Sequence, residues 1–185
     1  ELREAVRTLP FDSKYKVYII DEVLMLSKAA FNALLKTLEE PPPHVIFILA
    51  TTESHKIPET IISRCQTHTF KKPHEQDIKS LVASIIKNEG FSIDKESLSL
   101  ISLLAEGSFR DALTILDKVV SVSKNKTIKV SEVENLTGAP NSVLVTQFLL
   151  SVLVGDKNKA LGVIKEARDN SVDMKVFTKL LLRAT

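Results

Sequence analysis

The stretch that decides the fold is KVYIIDEV, Lys16 to Val23. A short run rich in Val, Tyr and Ile has the length and composition of a buried strand. It ends in two adjacent carboxylates, Asp21 and Glu22. An unpaired charge is costly to bury, so the strand has to stop where they begin. Either the acids are solvated turn residues, the commoner case, or they sit at the strand tip to act. The residues alone leave both readings open.

Working outward, SKAAFNALLKTLEEPPP follows, Ser27 to Pro43. Ser27 is placed as an N-cap, Phe31, Leu34, Leu35 and Leu38 form one apolar face, and Pro41 to Pro43 stop the helix. HVIFILATT comes next, His44 to Thr52, with an unbroken apolar run from Val45 to Ala50. Continuous hydrophobicity predicts a strand covered on both faces, as in a parallel sheet under helices. The pattern then predicts a short helix from Pro58 to Arg64 and a third strand at THTF, Thr67 to Phe70. Alternating strands and helices are an α/β signature. In such a sheet ligands lie beyond the carboxyl ends of the strands. Asp21 and Glu22 end the first strand, and Thr51 and Thr52 end the second. Two acids and two hydroxyls at one edge suit metal-assisted phosphate chemistry.

After KKPHEQ, residues 71–76, the character changes. Residues 75–89, 94–106 and 108–123 read as amphipathic helices, with Gly90 and Gly107 where C-terminal caps fall. A small helix at 131–137 ends at Gly138, and three more helices fill 141–185. The chain is 185 residues long with 44% hydrophobic and 26% charged residues, the balance of a globular protein with a sizeable core. Its net charge of +2 argues neither for nor against nucleic acid. Cys65 is the single cysteine, which excludes an internal disulfide and a cysteine zinc site within this sequence. A reducing, cytoplasmic setting is expected. No run of 18 apolar residues occurs, so no membrane-spanning helix is expected. The four histidines have no ligand spacing, so no metal site is read on them. No glycine precedes residue 90, so no glycine-rich phosphate loop lies in that part. The sequence opens without Met and already at helical spacing (Leu2, Val6, Leu9), the look of a piece from a longer protein.

Four ordered segments, VYIIDEV, FNALLKTLEEPP, FILATTE and KIPETIISRCQ, followed more loosely by AEGSFRDAL, resemble the gamma/tau clamp-loader subunit family of bacterial DNA polymerase III, in the AAA+ ATPase superfamily. The resemblance is dense from Val17 to Phe70 and continues through the rest of the chain. It implies an α/β fold: a partial AAA+, P-loop NTPase-like parallel sheet with helices, then an all-helical lid and the start of a helical collar domain. The implied divisions are 1–72, 73–139 and 140–185.

The resemblance also implies roles. Asp21 matches the Walker B acid that supports Mg²⁺ through water, and Glu22 the catalytic base. Thr51 or Thr52, with Thr52 favoured, matches sensor 1. Arg64 matches the arginine finger that reaches a neighbouring subunit's ATP, and Arg110 the sensor-2 arginine. Simpler readings stand beside these. Arg64 near a helix C-terminus is favoured by the helix dipole alone, and Asp111 is placed to neutralise Arg110. Lys28 and Lys36 either face phosphates or a solvated helix side. The family usually has His where Leu24 stands. Its Walker A loop, G-x-x-x-x-G-K-[ST], and its zinc module do not occur in these residues. They are therefore expected to bind ATP weakly and not to turn it over. In the family the Walker A strand lies beside the sensor-1 strand, so an exposed edge is expected along Val45 to Ala50.

The implied cofactors are ATP and Mg²⁺. The implied partners are further gamma/tau copies, the delta and delta-prime subunits, the sliding clamp and primer–template DNA, in a hetero-oligomer with no membrane contact. The alternative is a non-hydrolysing structural subunit of the delta-prime type, in which the Walker B acids are typically degraded. A helical interaction module unrelated to nucleotide leaves the strand-tip acids and hydroxyls unexplained.

Overall fold

The computed structural model describes residues 2–123 and 125–184. The chain divides into two compact units, Glu1–Phe70 and Lys71–Thr185. Among the described residues no single helix is long and apolar enough to cross a membrane.

The first unit opens with α1 (Leu2–Arg7), β1 (Lys16–Ile20), α2 (Lys28–Glu39), β2 (Val45–Leu49) and α3 (Glu59–Ile62). β1 and β2 are parallel, in a register that pairs Lys16 with Val45 and Ile20 with Leu49. Parallel neighbours need a crossover, and α2 supplies it. Ser27 caps α2 as expected, its hydroxyl accepting from the Ala30 N–H at 3.3 Å. At the opening of β1, the Lys16 ammonium donates to the Ala5 carbonyl at 2.9 Å and ties the strand to α1. His44 Nε2 lies 3.1 Å from the Val6 carbonyl and joins β2 to the same helix. Tyr18 and Phe47, opposite each other in the register, stack with ring centroids 5.4 Å apart.

Two expectations for this sheet are corrected. Thr67–Phe70 forms no strand: among the described residues the sheet has only β1 and β2, and Phe70 is almost fully exposed. A strand is held by a neighbour that takes its N–H and C=O groups, and this segment has none. Second, the sheet is not covered on both faces. Val17 and Ile19 of β1 and their register partners Ile46 and Ile48 of β2 share one face and are 42–70% exposed. An unbroken apolar run records what a strand can bury; packing depends on which elements lie over it. The far edge of β2 is unpaired among the described residues, in line with the expected open edge.

The second unit is helical: α4 (Glu75–Asn88), α5 (Lys95–Leu104), α6 (Phe109–Val122), α7 (Val130–Thr137), α8 (Ser142–Val154), α9 (Lys157–Asp169) and α10 (Met174–Ala184). Two short strands, β3 (Ser92–Ile93) and β4 (Thr127–Ile128), pair in parallel between these helices. Two hydrophobic cores form. One gathers Ile78, Val82, Ile101, Leu116, Val119 and Val133; the other Leu144, Val145, Val163, Ala167 and Phe177. Amphipathic spacing produces the first, because its helices turn a stripe three to four residues apart toward their neighbours; α8, in the second, is apolar on every side and leaves Leu153 and Val154 exposed. Gly138 ends α7 at φ 68°, the left-handed conformation glycine adopts without a Cβ penalty.

Candidate functional site

The strand tips are built by hydrogen bonds that follow from the parallel register. The Ala50 N–H donates to the Ile20 carbonyl at 2.9 Å, and the Val23 N–H donates to the Ala50 carbonyl at 3.0 Å. The pairing thus continues beyond both strands and holds the Asp21–Glu22 turn against the start of the Thr51–Thr52 turn. Val23 is 1% exposed and anchors this junction. Asp21, Glu22, Thr51 and Thr52 therefore share one end of the sheet.

Within the turn, Asp21 Oδ1 accepts from the Glu22 N–H at 3.0 Å. Glu22 adopts φ 45°, ψ 54°, the left-handed region, and opens a single 3-10 turn over Val23–Met25. A glutamate there is uncommon and costs free energy that the surroundings must hold in place. Both carboxylates face solvent. The two threonines differ. Thr51 is half-buried and its Oγ1 accepts from the Glu53 N–H at 3.1 Å, closing the next turn. Thr52 is exposed, and its hydroxyl makes no hydrogen bond among the described residues. Leu24, within the 3-10 turn, is half-buried.

Arg64 lies elsewhere in the same unit. Its Nη1 donates to the Thr60 carbonyl at 2.7 Å and to Ser63 Oγ at 3.3 Å, and its Nη2 to Glu39 Oε1 at 3.2 Å. Glu39 is the last residue of α2. A twelve-residue helix is about 18 Å long, and this one runs from the strand tips back to the opposite end of the sheet. Arg64 is thus tied to the end of α2 remote from Asp21 and Glu22, and it forms no ion pair with either acid. Nothing in the sequence pattern assigns Glu39 a role. Its one signal is an anion at a helix C-terminus, where the dipole disfavours it.

Arg110 belongs to the second unit, in the first turn of α6. Ser108 caps that helix by accepting from the Asp111 N–H at 3.1 Å. The Arg110 guanidinium is exposed and has no ion-pair partner among the described residues, Asp111 included. Lys28 and Lys36 are exposed on α2. Cys65 is half-buried, and burial pushes its thiol above the usual range, away from thiolate reactivity.

The family described as DNA polymerase III, delta subunit, matches residues 1–74, and the ATPase lid domain of the DNA polymerase III clamp-loader subunit matches residues 77–125. DNA polymerase III subunit tau of Bacillus subtilis is 44% identical over 94% of this chain. Subunit gamma of Buchnera aphidicola subsp. Schizaphis graminum is 47% identical over 81% of it, and subunit gamma/tau of Mycoplasma genitalium 39% over all of it. The chain belongs to the DNA polymerase III gamma/tau family.

It spans 31% of the Bacillus tau subunit and 43% of the Buchnera gamma subunit. Among solved structures, the Thermotoga maritima RuvB Holliday junction branch migration motor superposes with a TM-score of 0.59 at 18% identity, covering 91% of this chain and 62% of its own. That likeness concerns the fold: a partial AAA+ sheet followed by a helical lid. In this gamma/tau chain the acids and threonines thus occupy the strand ends of an AAA+ sheet.

Proposed function

We propose that the protein to which these residues belong is an ATP-driven subunit of the DNA polymerase III clamp loader, which opens the sliding clamp and places it on primer–template DNA. The carrying observation is the junction at which Val23, Ala50 and Ile20 bond across the strand ends, setting two acids beside two threonines. In this reading residues 1–72 are part of the AAA+ core, 73–139 the lid and 140–185 the opening of the collar. The assembly is cytoplasmic and contains further gamma/tau copies with delta and delta-prime.

The donor set fits the γ-phosphate end of a magnesium nucleotide. Mg²⁺ is ordinarily held by one or two carboxylates, waters and substrate phosphates, so Asp21 suffices as the protein's contribution. Bound ATP and Mg²⁺ supply the scissile phosphate bond and the charge that neutralises its oxygens. Glu22 takes the proton of an attacking water on a carboxylate oxygen. Thr52, whose hydroxyl is not engaged elsewhere, orients that water or a phosphate oxygen, with Thr51 holding the turn. Arg64 offers an always-charged fork to a neighbouring subunit's nucleotide, which its distance from its own acids favours. Arg110 meets the nucleotide of its own subunit. The triphosphate's principal cradle is not among these 185 residues, so alone they bind ATP weakly.

The test uses the full-length protein assembled with its loader partners. Glu22→Gln is expected to lower DNA-stimulated ATP hydrolysis by about 10²-fold or more while nucleotide binding persists. Wild-type turnover by that variant would sink the proposal. An assembly in which the unaltered full-length chain binds no nucleotide supports the delta-prime type instead, a reading encouraged by the delta-subunit match over residues 1–74.

A further inference from the structure

We propose that Glu39 is a positioning residue for Arg64, fixing the direction in which its guanidinium leaves the subunit. This rests on the reading of Arg64 as a finger acting on a neighbour's nucleotide. Of the three groups that hold the guanidinium, Thr60 and Ser63 belong to α3 and its C-cap, the residues that lead directly into Arg64. Glu39, on α2, is the one contact from another element among the described residues. It alone refers the guanidinium to the crossover helix and, through that helix, to the strand tips.

The pair is suited to holding without trapping. The Arg64 side chain is 35% exposed and that of Glu39 51%, so solvent screens the attraction and neither group is sealed in. Arginine carries five N–H donors. The three contacts leave Nε without a hydrogen bond among the described residues, a donor still available for a phosphate oxygen. Glu39 also stands at the C-terminal end of α2, where an anion is unfavourable unless a cation answers it. Arg64 answers it.

The test measures ATP hydrolysis by the assembled full-length protein bearing Glu39→Ala, Glu39→Gln, Arg64→Ala or Glu39→Ala with Arg64→Ala. Misplacing a catalytic group by about 1 Å can cost up to 10²-fold, so Glu39→Ala is expected to lower kcat by roughly 10-fold with KM for ATP within about twofold. Glu39→Gln, which keeps length and acceptor, recovers part of the loss. The double variant matches Arg64→Ala alone, since a positioning residue has nothing left to position. Thermal unfolding and subunit assembly are read for each variant, and Glu39→Gln carries the test if Glu39→Ala fails to assemble. Glu39→Ala at the wild-type kcat, where Arg64→Ala is slow, overturns the proposal and spares the reading of Arg64. A double variant slower than Arg64→Ala by the full factor also overturns it. Arg64→Ala at the wild-type rate removes the reading itself.

Discussion

The Val23 N–H donates to the Ala50 carbonyl at 3.0 Å, so the turn after β1 is fastened to the residue just beyond β2. That bond leaves Glu22 to make the bend, in a left-handed conformation a glutamate pays for. Glu22→Gly relieves it. Relief of about 1–2 kcal/mol is offset by the extra freedom glycine has when unfolded, about 0.5–1 kcal/mol. The variant is expected to be as stable as wild type or slightly more so, by thermal unfolding, while ATP hydrolysis in the assembled protein is lost. A stability loss above about 1 kcal/mol would mean that the Glu22 side chain supports the turn.

Arg110 has no ion pair to lose among the described residues and sits where the helix dipole opposes its charge. Arg110→Ala is therefore expected to change stability by no more than about 0.5 kcal/mol. On the proposed sensor-2 role, tighter assembly on ATP addition, followed by fluorescence or light scattering in the full-length complex, is expected to weaken. A variant with a large drop in melting temperature would assign the residue to packing.

Asp94 caps two helices at once. One oxygen accepts from the Ser97 N–H at 2.6 Å at the start of α5, and the other from the Val130 N–H at 3.2 Å at the start of α7. Asparagine has only one acceptor oxygen. Asp94→Asn is expected to cost about 1 kcal/mol and Asp94→Ala about 2, measured by denaturant unfolding. Equal costs would mean that a single cap matters.

Glu75, in the first turn of α4, is hydrogen-bonded to Lys79 at 2.8 Å and to Arg183 of α10. The Lys79 bond first, then the Arg183 bond, hold its carboxyl below the usual range. With the folded pKa depressed, the stabilisation is present above the ordinary glutamate value, about 4.3. It is lost as pH falls through the lower folded value. Melting temperatures of wild type and Glu75→Gln are expected to differ most near neutral pH and converge in acid. A gap that widens below pH 4 would contradict the sign.

The strand at 16–20 and the helix at 28–39 were legible because local signals agreed: an apolar run closed by acids, then a serine cap and a proline stop. Gly138 likewise marked a helix end. The two-residue strands β3 and β4 were not legible, being too short to carry a period and formed only when Ser92 meets Thr127. The strand expected at Thr67–Phe70 failed for the converse reason: strand-like composition is no substitute for a partner. At the site, residue order placed Asp21, Glu22, Thr51 and Thr52 at one sheet end because two parallel strands leave little choice. The Glu39–Arg64 pair joins residues 25 apart in sequence, and no local pattern marks such a pair.

The bare face of Val17, Ile19, Ile46 and Ile48 bears on how this chain melts. A sheet of two strands is marginal by itself, and one dry side halves what it gains by closing. Heated alone, these 185 residues will come apart in two stages, the portion bearing the acids first and the helical portion later. A cover over those four side chains would stiffen the sheet whose end bears Asp21 and Glu22, and calorimetry with and without it would measure the gain.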